Sequence, residues 1–166
     1  SEAFINRTAL YGAGIQAFKE YMPIADTTYS APGDARSDGA TKLYRAQNFG
    51  KDAAIFVLDA RSFRDTGLPD VTNPADPAQV GGFLVASANP ARTMLGATQF
   101  TDLKADLLSA QSKGVLWKFV MLPEPIQNLG VVAASDRYEG YAAERTALLQ
   151  FIKENAITNV VFVSAD

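Results

Sequence analysis

The sequence predicts an α/β fold, a sheet covered by helices, on three observations. Ala53-Ala54-Ile55-Phe56-Val57-Leu58 is an unbroken apolar run of strand length, the pattern of a strand buried on both faces. From Thr98 onward, amphipathic helical patterns alternate with short apolar strands, as they do where helices pack on a sheet. The 166 residues, 48% apolar and 20% charged, are enough for one domain with its own hydrophobic core.

The first helix is predicted from about Ala9 to Tyr21. Leu10, Ala13, Ala17, Phe18 and Tyr21 recur at three- and four-residue spacing, and Pro23 stops it. Asp26 to Gly39, rich in Pro, Gly, Asp and Ser, reads as loop. Leu43–Phe49 has the length of a short strand, and Gly50-Lys51 turns the chain into the apolar run at Ala53. Thr66 to Ala97 holds four prolines (Pro69, Pro74, Pro77, Pro90) and the Gly81-Gly82 pair, and reads as a long surface insertion, residues 66–97. Thr98 is the expected cap of a helix whose apolar stripe is Phe100, Leu103, Leu107 and Ala110, closed by Gly114. Val115 to Met121 is the next strand, with Trp117 expected in the core. A second amphipathic helix is predicted from about Ala142 to Asn155, with Leu148, Leu149, Ile152 and Ala156 facing inward. Val160-Val161-Phe162-Val163 is the last strand, ending in Ser164-Ala165-Asp166.

Several function classes are excluded early. A net charge of −3 leaves no basic footprint for a nucleic-acid scaffold. No apolar run approaches the roughly 18 residues of a membrane span, and Ser1–Arg7 has no signal-peptide pattern. With no Cys and no His the chain holds no disulfide, no thiolate and no Ser–His–Asp triad. Gly12-Ala13-Gly14-Ile15-Gln16-Ala17 fits a dinucleotide fingerprint in spelling, but it lacks the strand that must precede it.

Ligands of open α/β sheets gather beyond the carboxyl ends of the strands. Two predicted strand ends carry Asp. Asp166 follows the small residues Ser164 and Ala165, and its carboxylate is a hard oxygen donor for a metal, or else a turn starter. Asp59, Arg61, Arg64 and Asp65 crowd the other exit. Arg there can grip phosphate through its planar fork, or pair with Asp59 and loop backbone, which is the simpler reading. Asp136, Arg137, Tyr138 and Tyr141 precede the last helix, where they suit a substrate mouth or the capping and anchoring of a loop. Arg145, one turn inside, suits the anchoring role.

Taken in order, five segments resemble the alkaline phosphatase D (PhoD-like) metallophosphoesterase family. They are Glu20-Tyr21-Met22-Pro23, Phe56 to Asp65 (FVLDARSFRD), Met94 to Gln99 with the later Trp117-Lys118, Asp136 to Arg145 (DRYEGYAAER), and Asn159 to Asp166 (NVVFVSAD). The resemblance covers most of the chain outside the insertion. It implies the C-terminal portion, residues 1–166, of one catalytic domain: a sandwich of two mixed sheets flanked by helices. It also implies hydrolysis of phosphate mono- or diesters, phospholipids among them, at a centre of iron and calcium, in a periplasmic or extracellular protein. Asp166 is then a metal ligand, and the other ligands come from the remainder of the same polypeptide or a complementary chain. Ala165 stands where the family has Gly. The competing reading is a non-catalytic α/β scaffold or binding module without a complete metal site. A flavodoxin-like binder would need a phosphate-cradling loop after the first strand, and no such loop is present.

Overall fold

The computed structural model describes residues 4–164. One four-stranded mixed sheet organises them, in the order β1-β2-β3-β4. β1 (Arg45–Phe49) runs antiparallel to β2 (Ala53–Val57) across the turn at Gly50, and β3 (Trp117–Leu122) and β4 (Val160–Ser164) follow parallel to β2. Parallel neighbours need crossovers. α3 (Ala97–Ser112) lies between β2 and β3 in the chain, and α4 (Ala142–Glu154) between β3 and β4.

The core sits on one face of the sheet. Ala54 and Phe56 of β2, Leu58 just past its end, and Val120 and Leu122 of β3 join Leu103, Leu107 and Ala110 of α3 and Leu148 of α4 in one core. Phe100, Leu149 and Ile152 pack at its margin. Lys118 lies on this face too, fully buried, with Nζ donating to Val115 O at 2.7 Å and Thr158 O at 3.2 Å. Those bonds tie the start of β3 to the approach of β4, and desolvation lowers the pKa of the ammonium.

Among the described residues the opposite face is half-buried to exposed. Pairing register puts Ile55, Val57, Phe119, Met121, Val161 and Val163 there with Trp117, which is 44% exposed and stacks on Phe119. Trp117 therefore stands outside the core expected for it. The Ala53–Leu58 run alternates between half-buried and buried instead of being buried on both sides. Its continuous apolarity serves two faces, and one of them is filled by the described residues. Among the described residues one mixed sheet is present, in keeping with part of the α/β sandwich that the resemblance implies.

Two further expectations are revised, at Thr98 and Ala156, and the 66–97 segment gains a helix. Residues 66–97 contain α2 (Pro77–Ser87), which Asp76 caps by accepting from Ala78 N and Gln79 N, with Pro77 in the first turn. Phe83 of α2, Val71 and Ala134 form a small second core, so this segment is docked on the 131–134 loop. The Gly81-Gly82 pair hid the helix by lowering its propensity. Thr98 does not cap α3; Gly96 holds that position, and Thr98 Oγ1 bonds Asp34 Oδ2 at 2.8 Å. Ala156 is exposed at φ 48°, past the end of α4, and Ile157 takes the inward place. α1 (Ala9–Tyr21) forms as predicted, with Thr8 accepting from Tyr11 N. Its apolar stripe faces outward nonetheless, and Leu10 is 86% exposed. Among the described residues no helix is long and apolar enough to cross a membrane.

Candidate active-site edge

The carboxyl ends of the three parallel strands open on one edge of the sheet, and the loops leaving β2 and β3 carry its chemistry. After β2 the chain turns at Asp59. Its Oδ1 accepts from Arg61 N and Ser62 N, both at 3.0 Å, while Oδ2 is buried without a hydrogen bond. This self-capped turn sends Arg61 and Arg64 outward. Gln99 of α3 fixes the turn from below: Asp59 N donates to Gln99 Oε1 at 2.8 Å, and Gln99 Nε2 donates to Asp59 O and Leu95 O, both at 2.8 Å. Asp65 closes the segment. It pairs with Arg36 at 2.6 Å and accepts from Thr93 N at 2.9 Å.

The motif residues before and within α4 lock onto the same structure. Glu144 is buried and accepts from Thr93 Oγ1, Met94 N and Leu95 N, and burial raises its pKa. Tyr141 is fully buried and donates to Asp65 O at 2.6 Å, with the Arg92 guanidinium 4.9 Å from its ring centre. Tyr138 is fully buried with no hydrogen-bond partner for its hydroxyl, and desolvation holds its pKa well above the ordinary value. Arg137 Nη2 donates to Gly130 O and Val132 O, both at 3.0 Å, and Arg145 Nε donates to Ile126 O. Both arginines thus fasten the loop between β3 and α4.

Asp136 is different. It is half exposed and draws two guanidinium groups: Arg61 Nη1 lies 2.7 and 2.6 Å from its two oxygens, and Arg64 Nη1 contacts Oδ1. Partial burial pushes its pKa up, but the bonds from Arg61 and Arg64 outweigh that and hold it below the usual carboxylate range. Arg61 reaches the other way as well, with Nη2 2.8 Å from Oε1 of Glu124, a residue leaving β3 between two prolines. The Glu124 side chain is 5% exposed and neither oxygen has an aligned hydrogen bond, so desolvation raises its pKa, against the pull of Arg61. The sequence alone did not single out Glu124. The signal available was an acidic residue just beyond a parallel strand, held between Pro123 and Pro125. Asp59 bonds the backbone of its own loop, Arg61 N included, while the Arg61 guanidinium goes to Asp136, 75 positions away.

Asp166, the metal ligand implied by resemblance, lies outside the described residues. Among the described residues no three His, Cys, Asp or Glu side chains come together as a metal site. The described part of this edge offers single carboxylates and an arginine pair, which can bind an anion.

The model of the PhoD-like phosphatase family matches residues 2–166. Alkaline phosphatase D of Bacillus subtilis (strain 168) is 31% identical over 176 aligned residues, covering 99% of this chain and 26% of that protein. A solved structure of PhoD superposes with a TM-score of 0.68 at 30% identity, over 93% of this chain and 28% of the other. The chain thus spans about a quarter of the length of the relatives it matches.

Proposed function

The chain belongs to the PhoD-like phosphatase family, and from that premise we propose that it is part of a larger metal-dependent phosphatase or phosphodiesterase. The observation that carries the proposal is the family match over nearly the whole chain, on a fold whose parallel strands end at one polar edge. Asp166, two positions beyond the last residue of β4, would hold a metal together with ligands from sequence outside these residues. A metal held there would supply Lewis acidity toward the phosphoryl oxygens and would lower the pKa of a bound water. By family resemblance the metals are iron and calcium, the substrates phosphate mono- or diesters (phospholipids among them), and the location periplasmic or extracellular.

The uncovered face of the sheet fits this reading. Ile55, Val57, Trp117, Phe119, Met121 and Val163 are the side of a sheet that another layer covers in a sandwich. We assign that covering layer to the rest of the same polypeptide.

The test is hydrolysis of bis(p-nitrophenyl) phosphate and p-nitrophenyl phosphate by the natural polypeptide, before and after chelation, with metal analysis of the same sample. Hydrolysis that is lost on chelation and restored by iron with calcium is expected. A metal-free polypeptide that cleaves neither ester is instead a scaffold that has kept the fold without the chemistry.

A further inference from the structure

Arg61 is held differently on its two sides. On one side Glu124 is buried on the exit of β3, and its carboxylate is neutralised by nothing closer than Arg61. Separating those two would leave an uncompensated charge in the interior, so this contact fixes the guanidinium in place. On the other side Asp136 is 53% exposed and sits on a loop, where an ion pair contributes little. Arg64 converges on the same carboxylate from the neighbouring turn of backbone, and among the described residues it has no other ion pair. One anchored arginine and one partly buried arginine therefore aim at a single accessible oxyanion.

Two guanidinium groups closing on one anion is the arrangement that recognises a phosphoryl group, whose several oxygens accept forked hydrogen bonds. Resting on the phosphoesterase reading above, we propose that Arg61 and Arg64 form the phosphoryl-binding clamp of the enzyme and that Asp136 is its resting counter-ion. On binding, the ester's non-bridging oxygens take the place of the Asp136 carboxylate, which turns out to solvent. Charge supports the exchange. Arg61 and Arg64 carry two positive charges, Glu124 neutralises one, and the other is left for whichever anion occupies the clamp. Glu124 is in this account a positioning residue: it touches no substrate and holds Arg61 in the reading orientation. The placement at the carboxyl edge of the parallel strands, beside the segment that leads to Asp166, puts the clamp where an α/β sheet binds its ligands.

A purely structural latch predicts the opposite response to removing Asp136, and this separates the two. The experiment titrates inorganic phosphate into the natural full-length polypeptide by calorimetry, and measures phosphate as a competitive inhibitor, for wild type, Asp136→Ala and Arg64→Ala. Vacating the clamp makes Asp136→Ala bind phosphate roughly tenfold more tightly, and losing one fork makes Arg64→Ala bind it roughly tenfold more weakly. Arg61→Ala strands Glu124 and can unfold. Arg64→Ala, which leaves that pair intact, therefore carries the test, with circular dichroism confirming its fold. Weakened or unchanged phosphate affinity in Asp136→Ala, or unchanged affinity in Arg64→Ala, overturns the clamp while hydrolysis by the wild type leaves the phosphoesterase reading standing. A wild type that neither binds phosphate nor cleaves either ester removes that reading, and the clamp with it.

Discussion

The two faces of the sheet are built from the same three apolar strands and end in opposite conditions. On one, Phe56, Val120 and Leu122 are closed over by α3 and α4, and the loops above are locked by Gln99, Glu144 and Tyr141. On the other, among the described residues, Trp117 and Met121 are exposed and Phe119, stacked on Trp117, is half-buried. Strand apolarity is the same on both sides, so what differs is the supply of covering elements. A sheet face this apolar carries a cost in water of roughly 25 cal/mol per Å² until something covers it. The difference separates the half of the sheet that the described residues close from the half that, on the reading proposed above, other sequence covers.

The largest expected effect sharpens that contrast. Phe56→Ala on the covered face should cost about 3–5 kcal/mol through loss of burial and the cavity it leaves. Trp117→Ala on the open face should cost residues 1–166 about 1 kcal/mol or less in urea unfolding, despite the larger side chain. Equal costs would break the comparison.

Next comes the lock above the covered face. Gln99→Ala orphans the buried Asp59 N–H and two carbonyls at once, and should cost about 3 kcal/mol, read as a lower urea midpoint. Gly96→Ala should cost about 2 kcal/mol, since the residue sits at φ 76° and ψ 150° and an added Cβ would lie 2.8 Å from Phe63 Cβ.

The smallest effect is at the exposed edge. Because Asp136 has a folded pKa below its unfolded value, its contribution is complete above the ordinary carboxylate range. That contribution is lost as pH falls through the depressed folded value. Its exposure limits it to less than about 1 kcal/mol, and Asp136→Asn should remove that part of the acid dependence of stability.

What was legible in the sequence follows from what each signal encodes. α1 and α4 were placed within a residue or so because helical periodicity and their stop signals are local. The strand segments were legible from apolar runs, but not the number of faces covered, because apolarity does not record what packs against a face. α2 was hidden by its glycine pair and prolines, though its Asp76–Pro77 start was in view. The motif residues were recognisable as a set. That most of them act as fasteners follows only from geometry: Glu144 reaches back to Leu95, and Tyr141 to Asp65, across 49 and 76 positions. The meeting of Arg61 with Glu124 and Asp136 was beyond the sequence for the same reason. It depends on two parallel strands delivering their exits side by side.

The most direct measurement is hydroxyl-radical footprinting of Trp117 and Met121 in residues 1–166 and in the natural longer polypeptide, with buried Met94 as the internal control for folding. Trp117 and Met121 are expected to be modified readily in the shorter chain and protected in the longer one, while Met94 is protected in both. Equal modification of Trp117 and Met121 in the longer polypeptide, with Met94 still protected, would contradict that expectation, because the open face would then be a surface and not half of an interior.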